Sequence, residues 1–318
     1  MKKRKYSIGI DMGGTNTKFG IVDRKGNVLY SSEVSTSDDK TIEGLMLHIF
    51  NILKPKMDEY GGAKEFVGVG VGAPNANYLT GNIEFAANLP WGEIVPLLKT
   101  VKAQFKLPCK VTDDAKVAAL GEMKYGLAKS MKNFIMITLG TGVGSGIVVN
   151  GKVVYGERGI AGELGHTIII PDGRKHPNTN ISGTLESYCS ATGVRATALE
   201  KLAASEVTSL LRNIPPTELN SKSIYDAAIQ GDKIANDAFE FTGEILGIAF
   251  ANFIMTFSPK AIILFGGLAK AGDLLTKPLL KSMDKYLLKI YKGKVPIIMS
   301  QLKSADAAIL GASALMWE

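Results

Sequence analysis

Residues 8–16 read IGIDMGGTN, and residues 137–144 read ITLGTGVG. In each stretch an apolar, β-branched run meets a turn rich in glycine and threonine, and a second apolar run follows, KFGIV at 18–22 or SGIVV at 145–149. Apolar runs bounded by turn residues are typical of strands. The sequence therefore predicts two matching β-hairpins, and two matching hairpins indicate two matching halves of the molecule.

Each predicted hairpin continues into a third strand. The second run ends in DRKG at 23–26 in one copy and in NG at 150–151 in the other, and apolar residues resume at 28–30 and at 153–155. Asn-Gly is a strong hairpin signal because both residues tolerate a positive φ. Each half is therefore expected to begin with three strands joined by tight turns.

The tips of the two hairpins suit phosphate binding. Glycine has no Cβ to block the backbone N–H groups, and threonine adds a hydroxyl group. Two such tips could hold a nucleotide polyphosphate between two domains. A competing motif, GVGVGA at 68–73, has the spacing of a dinucleotide-binding loop, but Pro74 follows where that loop needs a helix to open. The sequence contains no Walker P-loop motif.

The composition is that of a globular protein with room for two domains. The chain has 318 residues and a mass of 34.0 kDa, with 46% hydrophobic and 21% charged residues. Its net charge of +7 suits anionic ligands such as nucleotides. Lys and Arg are scattered and form no basic stripe, which argues against a nucleic-acid partner.

Cysteine usage and hydropathy bear on the location of the protein. The chain has only Cys109 and Cys189, which cannot build a disulfide framework and indicate a cytoplasmic protein. The longest apolar stretch, residues 245–257, is too short to span a bilayer. It is predicted to be a buried helix, and no membrane partner is expected.

Strands alternate with helices along the chain, which predicts an α/β architecture. Helices are expected at 42–54, at 115–122 after a capping pair of aspartates, at 185–204, 224–230 and 234–257, and at 305–316, where the last helix packs onto the first domain. Strands are expected at 66–71, in a further short segment that ends at Val111, and at 261–265. Residues 156–183 have an irregular composition rich in Gly, Pro, Asn and His, and loops of that length usually carry function.

Several motifs occur in one order: DMGGT at 11–15, TDDA at 112–115, GTGVG at 140–144, GELGH at 162–166 and GG at 266–267. In this order they resemble the ROK family of sugar kinases, which includes bacterial glucokinases, along the whole chain. The resemblance implies a two-domain, actin-like (RNase H-like) α/β fold with an active-site cleft between the domains. It implies a first domain of residues 1–117 and 303–318, a second of 118–302, and a homodimer that binds ATP, Mg²⁺ and a sugar.

Phosphoryl transfer to a sugar hydroxyl requires positioning, neutralisation of charge by Mg²⁺, and a base for the hydroxyl proton. The family motif Asn-Asp-Ala-Asn matches residues 113–116, which read DDAK, so Asp114 is the candidate base. At a helix N-terminus its carboxylate stays ionised and can accept a proton. The alternative for either aspartate is a helix N-cap, a role that suits Asp113 equally well. Asp113 and Lys116 depart from the family motif and leave the local hydrogen bonding open.

Nucleotide-binding residues are expected in three places. Asp11 would hold Mg²⁺ through water, with a turn-capping role as the alternative. The phosphates would contact the hairpin tips at Gly13, Gly14, Thr15, Thr141 and Gly142. Adenosine would lie near Gly266 and Gly267, where a strand ends and the backbone can approach a flat base.

The resemblance assigns the sugar to Asn88, Asp114, Glu163, His166 and Glu186. Such groups form paired, directional hydrogen bonds with hydroxyls. The alternatives are a capping Asn88, a surface Glu186 and a structural His166. The expected sugar is D-glucose, phosphorylated at its C6 hydroxyl, with mannose, fructose, allose and N-acetylmannosamine as alternatives. Sugar-responsive repressors of the same family are a further alternative, but they carry an N-terminal helix-turn-helix domain, and here the first hairpin begins at residue 8.

Many relatives carry a zinc ion held by the His of the GELGH motif and three cysteines. In this chain the three cysteine positions hold Pro177, Thr179 and Thr184, which are not usable ligands. His166, His176 and Asp172 remain as donors at irregular spacing. We therefore expect no structural zinc, and we expect the loop to be held by Pro177 and by hydrogen bonds around Thr179 and Asn180.

Overall fold

The computed structural model describes residues 4–86, 89–302 and 306–317. Its strands are β1 (Tyr6–Met12), β2 (Asn16–Asp23), β3 (Val28–Ser35), β4 (Phe66–Gly72), β5 (Ile83–Glu84), β6 (Ile94–Val95), β7 (Cys109–Thr112), β8 (Phe134–Leu139), β9 (Val143–Val149), β10 (Lys152–Val153), β11 (Ile262–Phe265) and β12 (Ile297–Met299). Its α-helices are α1 (Ile42–Glu59), α2 (Leu97–Phe105), α3 (Asp114–Lys124), α4 (Glu186–Cys189), α5 (Ala191–Ala203), α6 (Ser221–Ala228), α7 (Lys233–Phe257), α8 (Asp273–Tyr286) and α9 (Ala307–Ala314).

The predicted internal repeat is present in the order of the strands. The first sheet has the order β3-β2-β1-β4-β7, and the second has the order β10-β9-β8-β11-β12. In the first sheet β1 is antiparallel to β2, with Ile10 opposite Phe19, and parallel to β4. In both sheets the three strands of the hairpin motif are followed by two later strands in the same order. The prediction of two matching halves, drawn from two short glycine motifs, is confirmed.

Helices cover both faces of the first sheet. Ile8 and Ile10 of β1 are fully buried in one cluster with Ile49 of α1. Gly9 points to the opposite face, because successive residues of a strand alternate. It lies against α9, where a methyl group on Gly9 would overlap the carbonyl oxygen of Ile309. The absence of a side chain therefore lets α9 lie directly on the sheet, which confirms the expected packing of the last helix.

The segment with the spacing of a dinucleotide-binding loop is a strand. Residues 66–72 form β4, which pairs with β1 on one side and β7 on the other. Pro74 follows in a turn, and no helix opens there. Gly70 of this strand also lies against α9, since a methyl group on it would overlap the carbonyl oxygen of Ala312. These glycines serve close packing of a helix on a sheet.

The single helix predicted over 185–204 is wrong. The structure has α4 and α5 with a break at Ser190, whose backbone is extended at φ −88° and ψ 170°. The Ser190 hydroxyl accepts a hydrogen bond from the Gly193 N–H at 3.0 Å and so caps α5. A serine at an N-cap satisfies a backbone donor that no helical carbonyl can reach, which favours a new helix start over a continuous helix.

One helix in the described part of the chain, α7, is long and apolar enough to cross a membrane by length and composition. Two thirds of its apolar window (67%) is buried within the protein. Gly243 and Gly247 let it approach α8 closely, where added methyl groups would meet Pro278 and the backbone at 279. The predicted buried helix is therefore confirmed, and it is longer than the apolar stretch that indicated it.

The chain forms two compact units. The first contains Met1–Met136, Gly146–Gly162 and Ser300–Glu318, and the second contains Ile137–Ser145 and Glu163–Met299. The chain passes between the units four times: within β8, within β9, after Gly162 and after Met299. The boundary predicted at residue 117 falls inside α3, which lies wholly in the first unit. The domain limits implied by the family resemblance stay a prediction.

Candidate functional site

The tip of the first hairpin is braced by hydrogen bonds on one side. The Gly13 N–H donates to the Asn16 carbonyl at 3.0 Å, and a Cβ on Gly13 would lie 2.9 Å from that oxygen. The Thr36 hydroxyl donates to the Gly13 carbonyl at 2.8 Å, and the Thr36 N–H donates to the Thr15 carbonyl at 2.8 Å. Gly14 is half-buried and Thr15 is exposed. The hydrogen bonds from Thr36 therefore fix the backbone of the tip, and Gly14 and Thr15, both predicted to contact phosphates, remain accessible.

Asp11 lies near the end of β1, opposite Lys18 of β2. Burial raises the pKa of its carboxyl group from 3.8 to about 6, and the charge of Lys18 lowers it in part. Desolvation disfavours the ionised form of the carboxyl group. A cation bound nearby would have the opposite effect and favour ionisation. A carboxylate in such a place suits a hard cation such as Mg²⁺, which is held by oxygen ligands and keeps several waters.

The candidate base lies at the start of α3. Asp113 is the N-cap, and its Oδ1 accepts a hydrogen bond from the Ala115 N–H at 3.1 Å. The same oxygen lies 3.8 Å from Nζ of Lys116, whose side chain is 1% exposed. The two departures from the family motif thus pair with each other, and the N-cap prediction for Asp113 is confirmed. Asp114 is the first residue of the helix and is exposed.

Asn88, the remaining sugar-binding residue predicted in the first unit, lies outside the described residues.

The tip of the second hairpin rests on the start of α5. The Gly140 N–H donates to the Gly142 carbonyl at 3.0 Å, and the Ala191 N–H donates to the Gly140 carbonyl at 2.9 Å. The Thr192 hydroxyl donates to the Thr141 carbonyl at 3.3 Å. A helix N-terminus carries a partial positive charge. At the start of α5 the Ala191 and Gly193 N–H groups are already paired, with the Gly140 carbonyl and the Ser190 hydroxyl. The tip and the helix start together form a suitable place for phosphate oxygens.

The GELGH segment packs against β9. The Leu164 N–H donates to the Ser145 hydroxyl at 3.1 Å, and a methyl group on Gly165 would overlap the Val143 carbonyl oxygen. The Glu163 side chain is 54% exposed and the His166 side chain 33% exposed, with Nδ1 of His166 4.0 Å from Oε2 of Glu163. The backbone is thus fixed while both predicted sugar-binding side chains stay accessible.

Glu186 contacts the second hairpin directly. Its Oε2 accepts a hydrogen bond from the Val143 N–H at 2.6 Å, and its Oε1 lies 2.6 Å from Nε2 of His176. A Cβ on Gly142 would lie 2.5 Å from Oε2, so this approach requires glycine. Each carboxylate oxygen keeps a second lone pair, which leaves room for the predicted sugar contact. The contacts to Val143 and His176 were not predicted from the sequence.

Three potential metal ligands lie close together in the second unit. The donor atoms of His166, His176 and Glu186 all lie within 4.8 Å of one another. Asp172, considered as a donor from the sequence, is not in this group. Two imidazoles and a carboxylate are a ligand set that zinc accepts. A metal there would have to displace the short hydrogen bond between His176 and Glu186.

The loop before α4 is held by Arg174, which was not among the residues predicted from the sequence. The Arg174 guanidinium donates to both carboxylate oxygens of Glu200, at 2.8 and 2.6 Å, and to the carbonyls of Ser187 and Gly193. It also lies 4.7 Å from the ring centre of Tyr188. A planar guanidinium can make several such bonds at once. Arg174 thus provides more anchoring contacts than the expected Thr179 and Asn180, and no sequence pattern singles it out.

The two glycines expected at the adenosine differ from each other. Gly266, at the end of β11, has a φ of +110°, and a methyl group on it would overlap the Leu139 carbonyl oxygen. Gly267 has right-handed helical dihedrals, and a methyl group on it would meet no atom within 4 Å. Gly266 therefore shapes the backbone, and Gly267 presents an open surface.

Gly266 and Gly267 are adjacent, so the same substitution at each position gives a matched test of the two roles. Gly266→Ala is expected to lower the free energy of unfolding by about 1–3 kcal/mol or more, because the backbone is strained for an L-residue and the methyl group has no space. Gly267→Ala is expected to change it by less than about 0.5 kcal/mol. Urea unfolding measures both, and equal effects would contradict this interpretation.

Neither cysteine is suited to be a nucleophile. Cys109 and Cys189 are buried and not linked to each other. Burial raises the pKa of the Cys109 thiol to about 12, although Lys102 opposes the shift, and burial also raises the pKa of the Cys189 thiol. Thiol reactivity depends on the thiolate form, so both side chains are structural.

The sequence model of the ROK family matches residues 7–318 of this chain. The chain is 33% identical over 310 residues to a glucokinase of Halalkalibacterium halodurans, with 96% of this chain and 93% of the relative covered. It is 34% identical to a glucokinase of Streptomyces coelicolor, with 98% of both chains covered.

The likeness extends to a solved structure. The ROK family glucokinase of Streptomyces griseus, crystallised in complex with glucose and AMPPNP, superposes on this chain with a TM-score of 0.79. The two chains are 31% identical, and 98% of each is covered. This overlap, together with the repeated strand order, confirms the expected actin-like α/β fold.

Proposed function

Since this chain belongs to the ROK family, we propose that it is an ATP-dependent sugar kinase that transfers the γ-phosphoryl group of ATP to the C6 hydroxyl of D-glucose. The observation that carries the proposal is the pair of glycine hairpin tips, each braced within its own unit, with Asp114 exposed at the start of α3. Full-length similarity to glucokinases supports glucose as the acceptor.

The chemistry required of the protein is mostly positioning and charge stabilisation. Asp114, at the N-terminus of α3, accepts the proton of the C6 hydroxyl as that oxygen forms a bond to the γ-phosphorus. The bond between the γ-phosphorus and the β,γ-bridging oxygen breaks at the same time, and ADP leaves. Backbone N–H and hydroxyl groups of the tips, at Gly13–Thr15 and at Thr141 and Gly142, hold the phosphates. Asp11 would hold Mg²⁺ through water, and the ion would neutralise phosphate charge. Adenosine lies against Gly267.

The sugar hydroxyls are held by Asn88, Asp114, Glu163, His166 and Glu186. Carboxylates accept hydrogen bonds from hydroxyls, whereas the imidazole of His166 can either donate or accept. The accessible side chains of Glu163 and His166 support this assignment. A site of this kind rejects a sugar that lacks a bound hydroxyl more strongly than one with added bulk.

A panel of hexoses with ATP and a coupled ADP readout tests the function. We expect glucose to give the highest kcat/KM, with 2-deoxyglucose markedly poorer if the C2 hydroxyl is bound. A preference for N-acetylmannosamine, mannose, fructose or allose would overturn glucose and leave the kinase mechanism intact. Binding of a sugar without turnover of any sugar would instead favour a sugar-sensing regulator.

Metal content is a separate prediction. We expect the purified protein to contain no stoichiometric zinc and to keep its thermal midpoint after treatment with EDTA, because the loop lacks thiolate ligands and is anchored by Arg174. Elemental analysis with unfolding curves measures both. A stoichiometric zinc ion would contradict the prediction and direct attention to His166, His176 and Glu186.

The proposed partners are ATP, the sugar and a second copy of the chain, with no nucleic acid and no membrane. A homodimer is the arrangement that the family resemblance implies, and sedimentation would test it. The cytoplasm is the proposed location, because ATP is available there and the chain's two cysteines are unpaired.

A further inference from the structure

A continuous set of hydrogen bonds joins the loop at residues 176–179 to the second hairpin tip. Nδ1 of His176 accepts from the backbone N–H groups of Asn178 and Thr179, at 3.3 and 3.1 Å. An imidazole nitrogen that accepts carries no proton, so the proton of the neutral ring lies on Nε2. Nε2 therefore donates to Oε1 of Glu186, at 2.6 Å.

The carboxylate of Glu186 is fixed from two sides. Oε1 accepts from His176, and Oε2 accepts from the Val143 N–H at 2.6 Å. His176 is 4% exposed and the Glu186 side chain 17% exposed, so water competes little for these bonds. Gly142 has no Cβ, which leaves the space that the carboxylate occupies beside the tip.

We infer that His176 is a positioning residue for phosphoryl transfer. Its Nε2–H holds Glu186 in the one orientation that also binds the Val143 N–H, and the carboxylate in turn holds the tip that carries Thr141 and Gly142. This inference rests on the proposed function, since the tip is taken to hold phosphates and Glu186 a sugar hydroxyl. His176 is 4% exposed, and the inferred role acts through its contact with Glu186.

Loss of the Nε2–H donor would free the carboxylate to rotate. The Val143 N–H would then lose its partner, and both the tip and the sugar-facing oxygens would shift. Small displacements of groups that orient reactants can lower a rate about 10²-fold. We therefore expect the effect mainly in kcat.

Two substitutions of His176 separate the effect of the bond from Nε2 to Glu186 from that of the bonds that Nδ1 accepts from the loop. In His176→Gln the side-chain amide can reach Glu186 as a donor, whereas in His176→Asn the shorter amide can accept from the Thr179 N–H but cannot reach Glu186. We expect the Gln variant to keep kcat within about threefold and the Asn variant to lose about 10–100-fold, with KM for ATP and sugar changing less. The reverse order would show that His176 only holds the loop and would overturn the inference.

A second readout is independent of activity. Amide hydrogen exchange of Val143 in the ligand-free protein should be slow in the wild type and the Gln variant and faster in the Asn variant. Unchanged exchange in all three would overturn the inference. If the wild type phosphorylates no hexose, the proposed function fails while this exchange pattern still tests the hydrogen bonds.

Two measurements on the wild-type protein test the inference even if the variants do not fold. They also test whether a metal ion, and not the hydrogen bond from His176, holds Glu186. ¹⁵N spectra of the histidine ring should show Nδ1 without a proton and Nε2 with one, and the opposite tautomer would overturn the inference. Exchange protection of Val143 should survive EDTA. Protection that disappears with EDTA and returns with Zn²⁺ would make His176 and Glu186 metal ligands instead.

Discussion

Asp114→Asn is expected to lower kcat by about 10²–10⁴-fold and to leave KM for sugar and ATP near their wild-type values. Asparagine has nearly the same shape as aspartate and can still bond to a hydroxyl, but it cannot take the hydroxyl proton. Because Asp114 is exposed at the first position of α3, the substitution should not disturb packing. Steady-state kinetics with saturating MgATP measures the effect.

The neighbouring aspartate provides a matched control. Asp113→Asn keeps a side-chain oxygen that can cap α3, and it removes only the charge facing Lys116. We expect this variant to keep more than about a tenth of wild-type kcat, since the proposed base is Asp114 and Asp113 is the N-cap. If Asp114→Asn kept that much activity, or if both variants lost equal activity, Asp114 would not be the base.

Asp11→Asn is expected to abolish most activity and yet stabilise the ligand-free protein at pH 8. In the folded state the pKa of Asp11 is about 6, against an ordinary value of 3.8, because burial disfavours the charge. Folding therefore carries a penalty for ionisation, which is absent below about pH 4, grows between about pH 4 and 6, and is complete above about pH 7. At pH 8 the penalty is on the order of 2–3 kcal/mol, which the amide removes.

Unfolding curves of the wild type and the variant from pH 4 to pH 8 test this prediction. The stability difference should increase with pH and then level off, while MgATP should stabilise the wild type more than the variant. A constant difference, or an active variant, would contradict the assigned role.

Asp23 in the same sheet is a control with the opposite trend. Burial tends to raise its pKa, but hydrogen bonds from Asn27, Lys25 and Gly26 lower the pKa of Asp23 overall. Its carboxylate therefore stabilises the fold above about pH 4 and loses that effect as the pH falls below it. Asp23→Asn should accordingly destabilise the protein at pH 8, where Asp11→Asn stabilises it.

Features that depend on neighbouring residues were predicted well. The hairpin from β1 to β2, the N-cap at Asp113 and the buried helix α7 follow from apolar periodicity and from the few residues that suit turns and caps. The break at Ser190 was missed, because an apolar pattern continues across it and only the capping bond to Gly193 interrupts the helix.

In the candidate site, too, some features follow from the local sequence and others from tertiary contacts. The sequence by itself determined the repeated hairpins, the order of the motifs and thereby the family, because these depend on residue types at short spacing. Only the tertiary structure decided that Glu186 bonds to Val143, 43 residues away, that His176 holds Glu186, and that burial beside Lys18 leaves the pKa of Asp11 at about 6. Such contacts and desolvation depend on which distant segments pack together, and no local pattern of residues carries that information.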